Sequence, residues 1–242
     1  MKKLIILIVM SFAVFVFPQK QQKKYFDAPF GGGVGYVPAW YIPGVDAINK
    51  ELVKIGMPEL STGGFYSSGG AGFFYIGFVK FLRIGGMGFS GSVSTSRVAN
   101  GVNREVVYSL GGGGISVEYT LPMIKDFGVS IGAVIGAGTL RTELFRNSGN
   151  FSWEGIWNDF NSGSGDSFSS TLKNDYWMFT PTINLDYPLN RFIVVRLGAG
   201  YQFAFIENWT ADNDQELKNV PSDLNANSFF IQSGIFIGFF SF

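Results

Sequence analysis

The sequence predicts an all-β fold: an eight-stranded antiparallel up-and-down transmembrane β-barrel with one short helix in its first extracellular loop. Three observations carry that prediction. After the N-terminal leader, the chain breaks into eight runs with alternating side chains and reaches no uninterrupted apolar stretch of about 18 residues, so it can enter a membrane only as strands. The connections between runs alternate long and short, which puts all the long ones at one end. Thirty-three glycines and 17% aromatic residues stand beside only 15% charge, a balance unlike that of an ordinary soluble domain.

The leader, "MKKLIILIVMSFAVFVFPQK", carries Lys2 and Lys3, then an apolar stretch from Leu4 to Phe17 broken only by Ser11, then Pro18. That stretch is shorter than the roughly 20 residues of a spanning helix and has the layout of a secretory signal peptide. A cleaved signal over residues 1–19 is therefore expected, leaving 20–242 as a single domain. No clean small-x-small triplet precedes Lys20, so the cleavage site is placed only approximately. With Lys2 and Lys3 removed, 18 basic residues become 16 against 18 acidic ones. A slightly acidic chain is a poor nucleic-acid binder, and no nucleic-acid partner is expected. The chain has no cysteine and no histidine, which removes disulfides, thiolate ligands, and the commonest general base and metal ligand.

The eight runs fall at about 29–38, 64–77, 82–96, 104–120, 127–145, 172–187, 191–206 and 227–242. From Phe127, odd positions read Phe127, Val129, Ile131, Ala133, Ile135 and Ala137 against a small, glycine-rich even series. The next run sets Trp177, Phe179, Pro181, Ile183, Leu185 and Tyr187 against Met178, Thr180, Thr182, Asn184 and Asp186, and the run after it sets Ile193 to Phe203 on odd positions against Arg196, Gly198, Gly200 and Gln202. Pairing across the turn near "YPLN" puts both apolar series on one side of the sheet. The second and eighth runs are aromatic on both parities. In "LGGGG" (Leu110 to Gly114) the apolar parity switches from Tyr108 and Leu110 to Ile115, Val117 and Tyr119, which predicts a bulge.

The long connections are Ala39 to Gly63, Arg97 to Asn103, about 146–171 and about 207–226; the short ones are Phe78 to Phe81, "LPMIKD" and the turn before Arg191. Eight strands put both termini on the short-turn side. Within the first loop, "VDAINKELVKIGMPEL" (Val45 to Leu60) reads as a helix with Asp46 as N-cap, Ile48, Leu52 and Ile55 on one face, and Gly56 with Pro58 as the stop.

The chain ends "SGIFIGFFSF", with Phe236, Phe240 and Phe242 in one alternating series interrupted at Gly238. This ending resembles the C-terminal strand signature of bacterial outer-membrane proteins, and the pattern from about residue 29 onward is most similar to the small eight-stranded barrels of the OmpA, OmpX and OmpW type. The resemblance implies an outer-membrane location with periplasmic termini, outer-membrane lipid as surroundings, and recognition of Phe236, Phe240 and Phe242 by the barrel-assembly machinery.

Glu118, Asp186 and Arg196 lie on the non-lipid parity of their strands. A charge facing lipid at the midplane costs about 2–4 kcal/mol, so inward placement is expected, either as a paired internal network or as a charged constriction. The fifth connection places Trp153, Trp157 and Phe160 among polar and glycine residues, where they can anchor at a lipid interface, pack the loop, or recognise a ligand. Asp159 with Asn161 and Asp166, and Asp212 with Asp214 and Glu216, each supply only part of the six to eight oxygens calcium takes, so no metal or cofactor is expected. The glycine runs lack the Lys-Ser/Thr that completes a phosphate loop.

The enzymes of this barrel class resemble each other in using a catalytic histidine, which this chain lacks, so no enzymatic activity is expected. Two function classes remain. One is a non-catalytic barrel that displays aromatic-rich loops for envelope structure, adhesion or partner binding. The other is a narrow gated channel or transporter for small or hydrophobic solutes, with the loop helix as gate.

Overall fold

A computed structural model describes residues 29–122, 127–149, 151–162 and 167–241, and builds them into a ten-stranded antiparallel sheet with two short helices. The expected leader and Phe242 lie outside the described residues. In chain order the elements are β1 (Phe30–Tyr36), β2 (Ala39–Pro43), α1 (Asp46–Lys54), β3 (Phe65–Tyr75), β4 (Leu82–Ala99), β5 (Val102–Thr120), β6 (Gly128–Asn147), α2 (Trp153–Ser162), β7 (Phe168–Asn190), β8 (Ile193–Ala211), β9 (Gln215–Glu216) and β10 (Ser228–Ser241).

Ten strands stand where eight runs were expected, and both additions have a local cause. Pro38 has no N–H to give to the ladder, so hydrogen bonding is interrupted between β1 and β2. Yet both keep one register against β10, from Phe30 opposite Ser241 through Ala39 opposite Gln232 to Pro43 opposite Ser228. They also keep one register against β3. The bond from Ser233 N to the Pro38 carbonyl, 3.0 Å, bridges the gap. The first loop accordingly begins after Pro43, not at Ala39. The other addition, β9, is a two-residue pairing with β8 inside the last long connection.

From β3 to β8 each strand pairs with the next, and β10 pairs with β8 along one edge and with β1 and β2 along the other. The long connections span 44–64, 148–167 and 212–227. The connection expected from Arg97 to Asn103 is not a long one: β4 and β5 run on to Ala99 and Val102 and join through Asn100 (φ 53°) and Gly101 (φ 74°), a two-residue hairpin turn with both residues left-handed.

The predicted bulge at Leu110 to Gly114 is also absent. Register from β4 to β5 and from β5 to β6 runs unbroken through it. The parity switch has another origin, because the sheet exchanges its apolar face partway along. In the upper half, nearest the long connections, the buried face is apolar, with Phe89, Val106, Tyr108, Leu110, Leu140, Tyr176 and Met178. There the exposed face is polar, with Ser90, Ser92, Ser94, Arg141 and Asp175. In the lower half the exposed face is apolar, with Ile115, Val117, Ile131, Ile135, Ile183 and Leu197, and the buried face carries Arg83, Glu118, Ser130, Asn184, Asp186 and Arg196. A straight strand crossing that boundary changes its apolar parity without gaining a residue. At the boundary β5 and β6 approach through glycine: a Cβ on Gly136 would stand 2.0 Å from the Gly113 carbonyl oxygen.

Helix α1 closes the upper interior. Val45, Ala47, Leu52, Met57 and Leu60 join the apolar cluster around Tyr41, whose ring stacks between Phe89 and Phe230 at 4.9 Å from each. The buried face is centred on Ala47 and Leu52, with Ile48 only partly buried and Ile55 62% exposed, so the expected Ile48–Leu52–Ile55 stripe is rotated. The cause is Asn49. It is 5% exposed and turned inward, donating to the Leu60 carbonyl (3.1 Å) and accepting from Leu60 N–H (2.8 Å), which pins the strap after the helix beneath it. Val45, not Asp46, is the N-cap and caps with no side-chain bond; Asp46 sits in the first turn, where its charge suits the helix dipole.

Candidate functional site

The lower interior is organised by four charges. Arg83, on β4, faces Glu118 across the pair with β5 and donates to it through Nε. Its Nη1 reaches Asp186 on β7 and its Nη2 reaches the Ser130 hydroxyl on β6. Arg196, on β8, stands opposite Asp186 and binds it with Nε to Oδ1 at 2.7 Å and Nη2 to Oδ2 at 3.0 Å. Its Nη1 lies 3.7 Å from Glu118 Oε1. Asn184 donates to Glu118 Oε1 (2.9 Å), and Gln232 on β10 donates to Asn184 Oδ1 (2.7 Å).

All four charged residues are 5% exposed or less. Two guanidiniums meet two carboxylates, so the cluster is neutral and each charge removed from water keeps a partner. The Phe73 ring lies 4.4 Å from the Arg83 guanidinium carbon and 5.0 Å from that of Arg196, and Phe236 lies 4.6 Å from Arg196. The belt thus draws on β3, β4, β5, β6, β7, β8 and β10. The space beside it is a cavity of about 20 Å³, lined in part by Phe73, Ser116, Thr182 and Gln232 and large enough for about one water.

Arg83 is the member that sequence reasoning missed. A usable signal was present: Glu118 and Asp186 against Arg196 alone leave one buried carboxylate unpaired, which requires a second cation on an inward parity.

The aromatic triad of the fifth connection is on a helix rather than in a loop. Ser152 caps α2, accepting from Gly155 N–H at 3.0 Å. Trp153, Ile156, Trp157 and Phe160 then fall at helical spacing on one exposed face, with Trp153 76% and Phe160 82% exposed. Their rings meet edge to face, Trp153 to Trp157 at 5.8 Å and Trp157 to Phe160 at 6.2 Å. Phe236 and Phe240 of the terminal signature point inward, at 0% and 3% exposure, and both pack on Phe73. The exposed series of that strand is Phe229, Ile231, Ile235, Ile237 and Phe239.

Of the two acidic clusters, Asp166 lies outside the described residues, and Asp212 serves as a strand clasp, accepting from Thr171 N–H (2.9 Å) and the Ser170 hydroxyl (3.3 Å). Among the described residues no three Asp, Glu, His or Cys side chains gather as a metal site. The chain has no histidine or cysteine, and its buried carboxylates are each bound by a guanidinium.

No family model and no curated protein matches this chain. Among solved structures it is similar to Ail, the attachment invasion locus protein of Yersinia pestis, in complex with the heparin analogue sucrose octasulfate (11% identity, 88% of this chain and 100% of that one, TM-score 0.43). It is also similar to Neisserial surface protein A (10%, 87% and 98%, 0.41) and to a major outer membrane protein from Thermus thermophilus (8%, 86% and 99%, 0.48). Identities this low, with TM-scores below 0.5, transfer no ligand and no activity to this chain.

Proposed function

We propose that this chain is a closed, sealed eight-stranded barrel of the bacterial outer membrane, non-catalytic, whose rigid wall rises above the bilayer and presents the long connections for envelope structure, adhesion or partner binding. The observation that carries the proposal is the exchange of apolar faces along the strands. On β7 the outward side chains from Trp177 to Tyr187 are all apolar, and the ion-paired Asp175 and Lys173 follow above them. Ten steps of about 3.4 Å at a tilt of about 40° give a band about 26 Å tall, close to the apolar band of a membrane barrel. Trp177 at one end and Tyr187 at the other, 60% and 42% exposed, suit the two interfaces.

A spanning strand needs about 9–11 residues, whereas β7 has 23 and β8 has 19. The surplus is the upper part, where a soluble-like core replaces lipid. Counting β1 and β2 as one transit and β9 as loop leaves eight transits, and the contact of Arg83 with Asp186 across the interior supports closure. In this reading residues 1–19 are a cleaved signal, both termini are periplasmic, and Phe236, Phe240 and Phe242 contribute to recognition by the barrel-assembly machinery. Trp153, Trp157 and Phe160 form a display surface. The filled belt and the inserted helix α1 argue against the gated channel.

Fractionation of the expressing cells tests the proposal. The protein is expected in the outer-membrane fraction, resistant to alkaline carbonate, and faster on gels before boiling than after. Recovery as a monomer soluble without detergent would overturn it.

A further inference from the structure

At the upper rim three arginines stand in one row. Arg97 on β4 is directly opposite Arg104 on β5, and Arg104 is directly opposite Arg146 on β6. All three share the parity of the inward face, and Phe168 on β7 continues the row opposite Arg146. Paired strands are about 4.8 Å apart, so three like charges occupy about 10 Å, an arrangement that disfavours the sheet on its own.

Nothing among the described residues neutralises the row, since no carboxylate forms an ion pair with any of the three. Arg97 donates from Nη1 to the Gly56 carbonyl in the strap after α1, and its other donors have no side-chain partner among the described residues. The Arg146 guanidinium lies 5.9 Å from the Phe168 ring centre. Below the row on the same parity, Val106 is buried in the apolar core with Leu144 packed against it, and the Thr95 hydroxyl beneath Arg97 is already committed to the Pro58 carbonyl. The contrast with the lower belt is chemical: there Arg83 and Arg196 are matched by two acids, while here three cations meet none, in a chain with as many acidic as basic residues. A general excess of positive charge does not account for the row.

We propose that the Arg97–Arg104–Arg146 row is a binding site for an oligoanionic sugar, in which phosphate or sulfate esters bridge neighbouring guanidiniums and the Phe168 ring takes a sugar face. Guanidinium forks match tetrahedral oxyanions in bidentate fashion, and a ring beside them accepts the apolar face of a pyranose. The esters have two sources: phosphorylated core sugars of the cell's own outer leaflet, or sulfated glycans of another surface. The inference rests on the proposed orientation only for the side from which the ligand arrives.

The test is calorimetric titration of the full chain, purified folded in detergent, with three probes: phosphorylated core oligosaccharide released from lipopolysaccharide, dextran sulfate, and neutral dextran. At least one anionic probe is expected to bind and neutral dextran is not; which anionic probe binds names the source. The R97Q/R104Q/R146Q variant is expected to lose about tenfold or more in affinity per arginine while folding at least as stably as the parent, because repulsion is relieved. A K50Q/K54Q/K218Q control, which removes equal charge from the same end, is expected to bind as the parent does. No binding of either anionic probe, unchanged binding by the arginine variant, or equal loss in the lysine control would overturn the site. Binding of dextran sulfate in detergent without labelling of intact cells by fluorescent dextran sulfate would keep the site and count against the outer-membrane orientation alone.

Discussion

Asp186 and Arg196 face each other across the β7–β8 pair and are joined by two hydrogen bonds, at 2.7 and 3.0 Å, while the second oxygen of Asp186 also receives Arg83 from β4. Three strands therefore meet on one carboxylate. Removing Arg83 leaves Glu118 and Asp186 to share one cation in a site closed to water. Arg83→Ala is expected to cost about 3–5 kcal/mol, read from urea unfolding in lipid vesicles. Arg83→Lys keeps the charge but gathers its donors on one nitrogen, so it cannot span the three partners that Nε, Nη1 and Nη2 reach, and is expected to recover only part of the loss. A change below about 1 kcal/mol for Arg83→Ala would show that the belt is not structural.

The proposed seal makes an electrical prediction. In planar bilayers the folded protein is expected to show no steady conductance, and deletion of Val45 to Leu60 is expected to leave it silent, because the charge belt lies in the other half of the sheet. Steady conductance that rises on removing the helix would restore the channel reading with α1 as its gate.

Helix α1 offers an internal comparison. Leu52 is 2% exposed and Ile55 is 62% exposed. Leu52→Ala is expected to cost about 2–5 kcal/mol and Ile55→Ala no more than about 0.5 kcal/mol, measured by thermal or urea unfolding in detergent. The reverse order would restore the stripe expected from helical periodicity.

Close approach of β5 and β6 gives a steric test. Gly136→Ala puts a Cβ 2.0 Å from the Gly113 carbonyl oxygen, whereas Gly77→Ala meets nothing within 4 Å. The first is expected to destabilise by at least about 1–3 kcal/mol or to prevent assembly, and the second to fold with near-parent stability. Yield of the faster-migrating gel species reads both.

Most of the strands were legible because a wall between two unlike environments imposes a period of two that survives in each sequence run. What was misread has specific causes. Pro38 looked like a strand end, but a proline interrupts a ladder without ending the chain's extended course. Leu110 to Gly114 looked like a bulge because parity was assumed to report one boundary, lipid against lumen, when the strand crosses a second one where the core changes sides. The α1 stripe was drawn from hydropathy alone, and Asn49 competes for the buried face by bonding Leu60 twice. In the fifth connection, glycine and serine hid the spacing of Trp153, Ile156, Trp157 and Phe160, which was helical all along. Three charges of the belt were readable from parity. Arg83 was not sought, although neutrality of a buried cluster demanded it.

The most direct test of the central claim places one charge at two heights on the outer wall. Ile183 is outward and 52% exposed in the middle of the apolar band, and Ser92 is outward above it. Folding free energies in lipid vesicles are expected to fall by about 2–4 kcal/mol for Ile183→Arg and by less than about 1 kcal/mol for Ser92→Arg. Equal costs at the two positions would mean that no bilayer surrounds the lower half, and the membrane account would fail.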